Sequence, residues 1–268
     1  MVYSRAVATR SAIVTGGGTG IGAAIARRLS ADGYAVTVMG RRAEPLDGVV
    51  QQLTEGLAVT GDVGRPEDCK RVVAATVEAF GGVDALVNNA GIGNAATGLE
   101  ETPEQWDNVL RVNLSGAFYM AREALPHLME RRGAIVNISS TSGYLAGPGW
   151  TSYCTSKAGL IMLTRCLAND YGPAGVRANC VCPGWVRTPM GDEDMDALGE
   201  ARGFDREEAY RLLHQDVPAR RPADAEEIAS VVSFLVGPDA SYVNGVTLPA
   251  DGGASIYDPT SAAFAKQA

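Results

Sequence analysis

Tyr153 and Lys157 stand four residues apart in the segment WTSYCTSKAGL, Trp150 to Leu160. On a helix, positions i and i+4 share a face, so phenol and ammonium would lie side by side. An isolated tyrosine is a poor acid or base near neutrality, because its ordinary pKa is about 10. A neighbouring ammonium stabilises the phenolate and lowers that value. Bringing it towards 7 takes roughly 4 kcal/mol of differential stabilisation. The pair therefore predicts a group that gives a proton to a carbonyl oxygen or takes one from a hydroxyl. The bland alternative is an amphipathic helix with a surface lysine. The elements around the pair decide between them.

A second constellation is VTGGGTGIG, Val14 to Gly22. It follows an apolar, β-branched run (Ser11–Gly16) and opens a segment of helical apolar spacing (Gly20–Asp32). Strand, glycine loop and helix in that order predict a phosphate cradle. Gly16 permits the sharp exit from the strand. Gly20 lets the backbone approach a pyrophosphate, and Gly22 lets the helix pack closely on the sheet. Thr19 and Ile21 lie in the same loop, where the helix N-terminus offers unpaired N–H groups.

The rest of the chain supplies a framework for both. Apolar runs at Ala35–Met39, Leu57–Gly61, Asp84–Gly91, Ala134–Ser140, Val176–Gly184 and within Gly245–Gly253 read as further strands. Helical spacing falls near Glu44–Leu53, at Pro66–Phe80, from Thr102 to about Arg131 with a bend at Pro126, around Tyr153, and at Asp224–Leu235. Thr102, Pro103 and Gln105 predict a capped helix start, and Asp224 with Glu227 a second cap pair. Strands alternating with helices predict an α/β fold of one domain, residues 1–268, with a parallel sheet of about seven strands covered on both faces. Residues 185–222 are a long polar excursion with some helix. Residues 257–268 are expected as a loose tail or an arm on a neighbouring subunit.

Composition excludes several classes. The net charge of -8 argues against nucleic acid as a partner. No apolar run reaches the roughly 18 residues of a membrane span. The N-terminus lacks a secretory pattern, so a cytoplasmic location is expected. The five cysteines, Cys69, Cys154, Cys166, Cys180 and Cys182, have no metal-ligand spacing and read as buried, reduced thiols. His127 and His214 read as surface or loop residues, and no metal site is expected.

The glycine spacing, NNAG at Asn88–Gly91, ISS at Ile138–Ser140, Tyr153-x-x-x-Lys157 and PGWVRT at Pro183–Thr188 follow one another in a fixed order. In these motifs, from Ala12 to about Gly253, the chain resembles the short-chain dehydrogenase/reductase family. That resemblance implies a doubly wound Rossmann fold. It also implies an NAD(P)-dependent oxidoreductase acting on a small-molecule carbonyl or secondary alcohol, assembled as a homotetramer or homodimer.

The resemblance also assigns roles. Ser140 would hydrogen-bond the substrate oxygen; strand alternation turns Ser139 to the other face. Asn113, in LRVNLSG, would hold a water beside Lys157, and Lys157 would bind the nicotinamide ribose. Asp62 would meet the adenine amino group and Val63 its backbone. Asn89, Ala90 and Gly91 would line the adenosine ribose. Pro183, Gly184 and Val186 would flank the nicotinamide, and Thr188 would hold its carboxamide or the phosphates.

Residues 185–222 would form a substrate lid. Trp185, Met190 and Met195, with Tyr144 and Leu145, are expected as an apolar wall for the substrate. The acidic run GDEDMD (Gly191–Asp196) reads as a solvated face, with a cationic substrate as the alternative.

The end of the second strand, VMGRR, bears on the cofactor. It carries no carboxylate for a ribose diol, but Arg41 and Arg42 offer guanidinium forks suited to a 2′-phosphate. NADP(H) is favoured and NAD(H) is the alternative. Thr19 speaks for NAD(H), because it stands where many NADP-preferring relatives carry a basic residue. Two other readings are an isomerase or dehydratase using the cofactor transiently, and a non-catalytic protein that senses cofactor state. The first would need a longer C-terminal region, and the second would be expected to lose Tyr153 or Lys157.

Overall fold

A computed structural model of the protein describes residues 10–256 and Asp258. The first half of the chain builds β1 (Arg10–Thr15), α1 (Gly20–Ala31), β2 (Tyr34–Gly40), α2 (Ala43–Val50), β3 (Gly56–Thr60), α3 (Pro66–Phe80) and β4 (Ala85–Asn88). There follow α4 (Pro103–Leu110), α5 (Gly116–Arg131), β5 (Ala134–Ile138), α6 (Thr151–Tyr171) and β6 (Arg177–Pro183). The remainder is β7 (Val186–Arg187), α7 (Pro189–Arg202), α8 (Arg206–His214), β8 (Ala223–Asp224), α9 (Ala225–Val236) and β9 (Thr247–Ala250).

Seven strands form one parallel sheet in the order β3-β2-β1-β4-β5-β6-β9. The chain runs outward from β1 to β3, then restarts at β4 on the other side of β1. Connections on either side of that point leave in opposite directions, which opens a crevice at the carboxyl ends of β1 and β4.

Burial on both faces explains why the strands are apolar runs rather than alternations. Ala12 and Val14 pack with Ile25 and Leu29 of α1 and Ile228 and Val232 of α9. Ile13, between them, packs with Val72 of α3, Met120 and Leu128 of α5 and Leu167 of α6. A buried polar ladder then ties α6 to the sheet. Asn88 Nδ2 donates to Asn137 Oδ1 at 2.9 Å, and Asn137 Nδ2 donates to Thr164 Oγ1 at 2.8 Å.

Both expected caps form. The Thr102 N–H donates to Gln105 Oε1 at 2.9 Å and the Gln105 N–H returns to Thr102 Oγ1 at 3.3 Å. The Asp224 N–H donates to Glu227 at 2.9 Å.

Several expectations need correction. The fourth strand ends at Asn88, and residues 89–91 leave the sheet as a loop. The helix expected to bend at Pro126 runs through it without a break. Its departure from α geometry is a π-helical turn at Arg111–Ser115. The excursion is a helical hairpin, α7 packed on α8, rather than mainly loop. Cys69, Cys180 and Cys182 are buried, but Cys154 is only partly so and Cys166 is exposed. His214 is buried at the end of α8, with Nδ1 2.6 Å from the Tyr210 carbonyl oxygen. His127 is partly buried on α5. The tail expected at 257–268 lies outside the described residues, apart from Asp258. Among the described residues, no helix is long and apolar enough to cross a membrane.

Candidate active site

The crevice at the carboxyl ends of the strands encloses about 770 Å³. Loops after β1, β2, β4, β5 and β6 all contribute to its walls.

The glycine loop forms one end. Gly16 and Gly20 take φ of +64° and +52°, which L side chains resist. A Cβ on Gly22 would overlap the Gly16 carbonyl oxygen and crowd Asn89 Nδ2. Gly22 thus sets helix-to-loop contact and does not line the crevice, whereas Gly16, Thr19, Gly20 and Ile21 do. Asn89 holds the loop from β4: its Nδ2 donates to the carbonyls of Thr15 at 2.9 Å and Gly16 at 3.2 Å. The N-terminus of α1 has no side-chain cap and no acid in its first turn. Its N–H groups and dipole therefore suit an anion, and the open glycine backbone leaves room for a dinucleotide pyrophosphate.

Past this loop, Arg41 and Arg42 line the crevice where β2 ends. Both are exposed, and among the described residues neither forms an ion pair. Asp62 and Val63 line the same end. The Asp62 carboxylate already accepts from the Gly64 N–H at 2.8 Å and from Arg111 at 3.0 Å. Burial works to raise its pKa, but the Gly64 amide, Arg111 and Arg41 outweigh it and hold the carboxyl below the usual range. Arg111 is a partner the sequence pattern did not indicate.

At the other end, α6 presents Tyr153 and Lys157. Lys157 is 4% exposed; its Nζ donates to the Ile138 carbonyl at 2.9 Å and lies 5.6 Å from the Tyr153 ring centroid. The Tyr153 phenol meets the Ser140 hydroxyl, which also accepts from the Ser142 N–H at 3.1 Å. Ser139 is buried, and its hydroxyl donates to the Lys157 carbonyl at 2.8 Å, pinning α6 to β5.

The electrostatics depart from expectation. Burial pushes the Tyr153 phenol up to about 12, against the lowering by Ser140, and the Asp194 charge adds to the rise. Burial also brings Lys157 down to about 8. Proximity of the lysine therefore does not by itself bring the phenol towards neutrality. Desolvation of both groups dominates, because each would carry charge in an enclosed place.

Asn113 sits on the π turn, buried. Its Oδ1 accepts from the Ile92 N–H at 2.8 Å, and its Nδ2 donates to the Ile92 carbonyl at 2.9 Å and to Ser156 Oγ at 3.0 Å. A Cβ on Gly91 would stand 3.3 Å from Lys157 Nζ and 3.4 Å from Asn113 Oδ1. Asn113 and Lys157 thus converge on Gly91, and Asn113 locks the β4 loop to α6. Ala90, Gly91, Pro183, Gly184, Val186 and Thr188 all line the crevice. The Thr188 hydroxyl is committed as the cap of α7, accepting from the Gly191 N–H at 3.1 Å.

The residues expected as an apolar wall do not all reach the crevice. Trp185 and Met190 line the crevice. Met195 does not: at 1% exposure it is packed under α8 with Ala209 and Tyr210. Tyr144 and Leu145 also lie outside it, because the 3-10 turn at Thr141–Gly143 carries the chain away. Tyr144 instead lines a separate depression with Ile161 and Met162.

Sequence reasoning missed two features here, Trp150 and Glu101, and gave the acidic run a place at the substrate only as the alternative. Trp150 stacks edge-on to Tyr153, with ring centroids 5.7 Å apart. Glu193 and Asp194 face the crevice. Glu101, from the β4–α4 connection, caps α6 by accepting from the Ser152 N–H at 3.1 Å and from its hydroxyl, and it also takes Asn94 Nδ2 at 2.9 Å. Trp150, three residues before Tyr153, carried a usable signal in its spacing; Glu101 carried none.

Comparison with known proteins gives a consistent picture. A family model described as enoyl-(acyl carrier protein) reductase matches residues 16–255. The chain is 42% identical over 260 residues to protein MoaE of Klebsiella aerogenes, covering 96% of this chain and 99% of that one. It is 40% identical over 253 residues to 2-(R)-hydroxypropyl-CoM dehydrogenase of Xanthobacter autotrophicus, covering 91% and 98%. Among solved structures it resembles a variant of actinorhodin polyketide ketoreductase with NADPH. There the TM-score is 0.89 at 36% identity, over 93% of this chain and 98% of that one.

Proposed function

The chain belongs to the short-chain dehydrogenase/reductase family of NAD(P)-dependent oxidoreductases, and from that premise we propose that it interconverts a small carbonyl compound and its secondary alcohol with NADP(H), using Tyr153 as the general acid and base. The observation that carries this reading is the meeting of the Tyr153 phenol and the Ser140 hydroxyl beside buried Lys157, at the far end of a crevice that starts on the glycine loop.

The nicotinamide, when bound, supplies the hydride chemistry. The protein supplies position and protons. Ser140 holds the substrate oxygen against Tyr153. In reduction Tyr153 gives its proton to that oxygen; a phenol held near 12 before cofactor binds is protonated and ready for that role. In oxidation the phenol must lose its proton, and the Lys157 ammonium, with the positive charge of an oxidised nicotinamide, favours the phenolate. Asn113 keeps the β4 loop and α6 in register around Lys157. Its side-chain amide is already bonded to Ile92 and Ser156, so a water beside Lys157 would rest on a backbone group of Asn113.

Arg41 and Arg42 support NADP(H): both guanidiniums stand uncommitted at the end of β2. Thr19, without a positive charge, keeps NAD(H) as the second reading. Assembly as a homotetramer or homodimer and a cytoplasmic location remain parts of this proposal.

Cofactor oxidation or reduction, followed at 340 nm over a panel of ketones and secondary alcohols with both cofactors, tests the reading. Turnover with at least one pair, faster with NADP(H), is expected. Arg41→Ala should raise the KM for NADP(H) far more than that for NAD(H). Equal effects on both would overturn the NADP(H) assignment, and no turnover across the panel would overturn the activity.

A further inference from the structure

Helix α7 carries alternate acids at positions 192, 194 and 196, and they do not share one role. Asp192 and Asp196, one helical turn apart, face α8. Asp192 accepts from the Tyr210 hydroxyl at 2.9 Å and from Arg206 at 3.3 Å, and Asp196 accepts from Arg206 Nε at 2.8 Å. Asp194, two residues from each, points about 200° round the helix from both. It lines the crevice with Glu193. Among the described residues it has no hydrogen bond and no ion-pair partner, although it is only partly exposed. Its charge reaches Tyr153 strongly enough to oppose ionisation of the phenol.

Charge in the crevice is segregated. The lining cations are Arg41 and Arg42, past the end of β2, and Lys157, whose ammonium is committed to the Ile138 carbonyl. Apart from that committed Lys157, no basic side chain lines the substrate end, where Asp194 and Glu193 stand with Trp150, Trp185 and Met190. A carboxylate half-removed from water and without a partner carries a desolvation cost that a cation offsets better than a neutral hydroxyl. Aromatic side chains lining the same crevice suit a cation as well. The same field repels carboxylate and phosphate substrates.

We propose that Asp194 selects substrates bearing an ammonium group a few bonds from the reacting carbon, so that the preferred substrates are amino ketones and amino alcohols. This rests on the Tyr153 reading above, because it places the reacting carbon at that phenol. It corrects the view of the acidic run as a solvated face: Asp192 and Asp196 bind the arm together, and Glu193 and Asp194 line the site.

The test uses matched pairs in which an ammonium replaces a methyl group: 2-amino-1-phenylethanol against 1-phenylpropan-1-ol, and 3-amino-1-phenylpropan-1-ol against 1-phenylbutan-1-ol. The wild-type protein should favour the ammonium member of at least one pair by about tenfold or more in kcat/KM. Asp194→Asn should bring that ratio to about one, the loss expected when a half-buried charge pair is broken. Asp196→Asn, on the α8 side, should keep the ratio. A wild-type ratio near one in both pairs, or a ratio that survives in Asp194→Asn, overturns the proposal.

Failure of the Tyr153 reading would look different: Tyr153→Phe would then turn over the neutral alcohols at near wild-type rates. If neither member of either pair is turned over, calorimetric binding decides. Tighter binding of the ammonium member, lost in Asp194→Asn, supports the selection, and equal binding overturns it.

Discussion

The two ends of the crevice are built on different physical terms. At the glycine-loop end, backbone and partly buried amides satisfy one another: Asn89 holds Thr15 and Gly16, and the Thr15 hydroxyl accepts from the N–H groups of Asn89 and Ala90 at 3.0 and 3.1 Å. At the arm end, a small apolar cluster of Met195, Ala209 and Tyr210 lies between α7 and α8, and side-chain ion pairs tie their outer faces. Arg206 bridges Asp192 and Asp196, and Arg187 pairs with Glu207 at 2.7 Å while lying 4.5 Å over the Tyr210 ring. Substitutions at the first end meet packed backbone. Substitutions at the second meet solvated charges that can rearrange. On the proposed reading, the cofactor would meet the fixed geometry of the first end and the substrate the solvated charges of the second.

Four substitutions would break or sharpen that contrast. The largest effect is expected at Gly22→Val, whose side chain would collide with the Gly16 carbonyl and Asn89. We expect a loss of about 3 kcal/mol or more, read from denaturant melts, with cofactor affinity falling alongside. A stable variant that binds cofactor normally would mean the loop end is as adjustable as the arm.

Next comes Lys157→Met. Burial lowers the lysine from 10.5 to about 8. Between those values the unfolded chain keeps the proton and the folded protein has released it, so wild-type stability gains as pH rises, and below about 8 this contribution is flat. The variant lacks this slope. The stability difference between the two should therefore shift towards the wild type by roughly 2–3 kcal/mol from pH 8 to pH 10. A constant difference across that range would contradict the burial argument.

Glu101→Ala removes the carboxylate that caps α6. A cost of about 1–2 kcal/mol is expected, the range for loss of a helix cap. Because Ser152 is adjacent to Tyr153, kcat should fall as well; a change in stability alone would make Glu101 purely structural. The smallest effect is expected from Arg206→Ala, since its ion pairs are partly exposed. A stability loss of about 1 kcal/mol or less should accompany a rise in substrate KM without a change in cofactor KM. A large loss of stability would show the arm to be part of the core.

The same contrast explains what the sequence made legible. The strands are unbroken apolar runs, the glycine loop stands between a strand and a helix, and the Tyr153–Lys157 pair follows the helical period of about 3.6, so composition and spacing carry their geometry. The π turn at Arg111–Ser115 was not legible, because its wider turn leaves no mark in composition; without it, the bend fell on Pro126. Met195 was placed in the wall although it packs under α8, and Tyr144 and Leu145 were placed there although a short turn redirects them. In each case the direction of a side chain depends on a partner element that spacing does not name. Tyr153 shows the same limit in its electrostatics. Spacing put the lysine beside it, but only the enclosed site shows that desolvation outweighs the lysine and lifts the phenol.

The most direct test of the account is Tyr153→Phe, which removes one oxygen and preserves the ring. With any ketone or alcohol that the wild-type protein turns over, the variant should lose about a hundredfold or more in kcat, the range for removing a general acid or base. Its dissociation constant for NADPH should stay within about threefold, since the hydroxyl faces Ser140 rather than the glycine loop. A variant that retains turnover within tenfold of wild type would contradict the assignment of Tyr153 as the proton-transferring group.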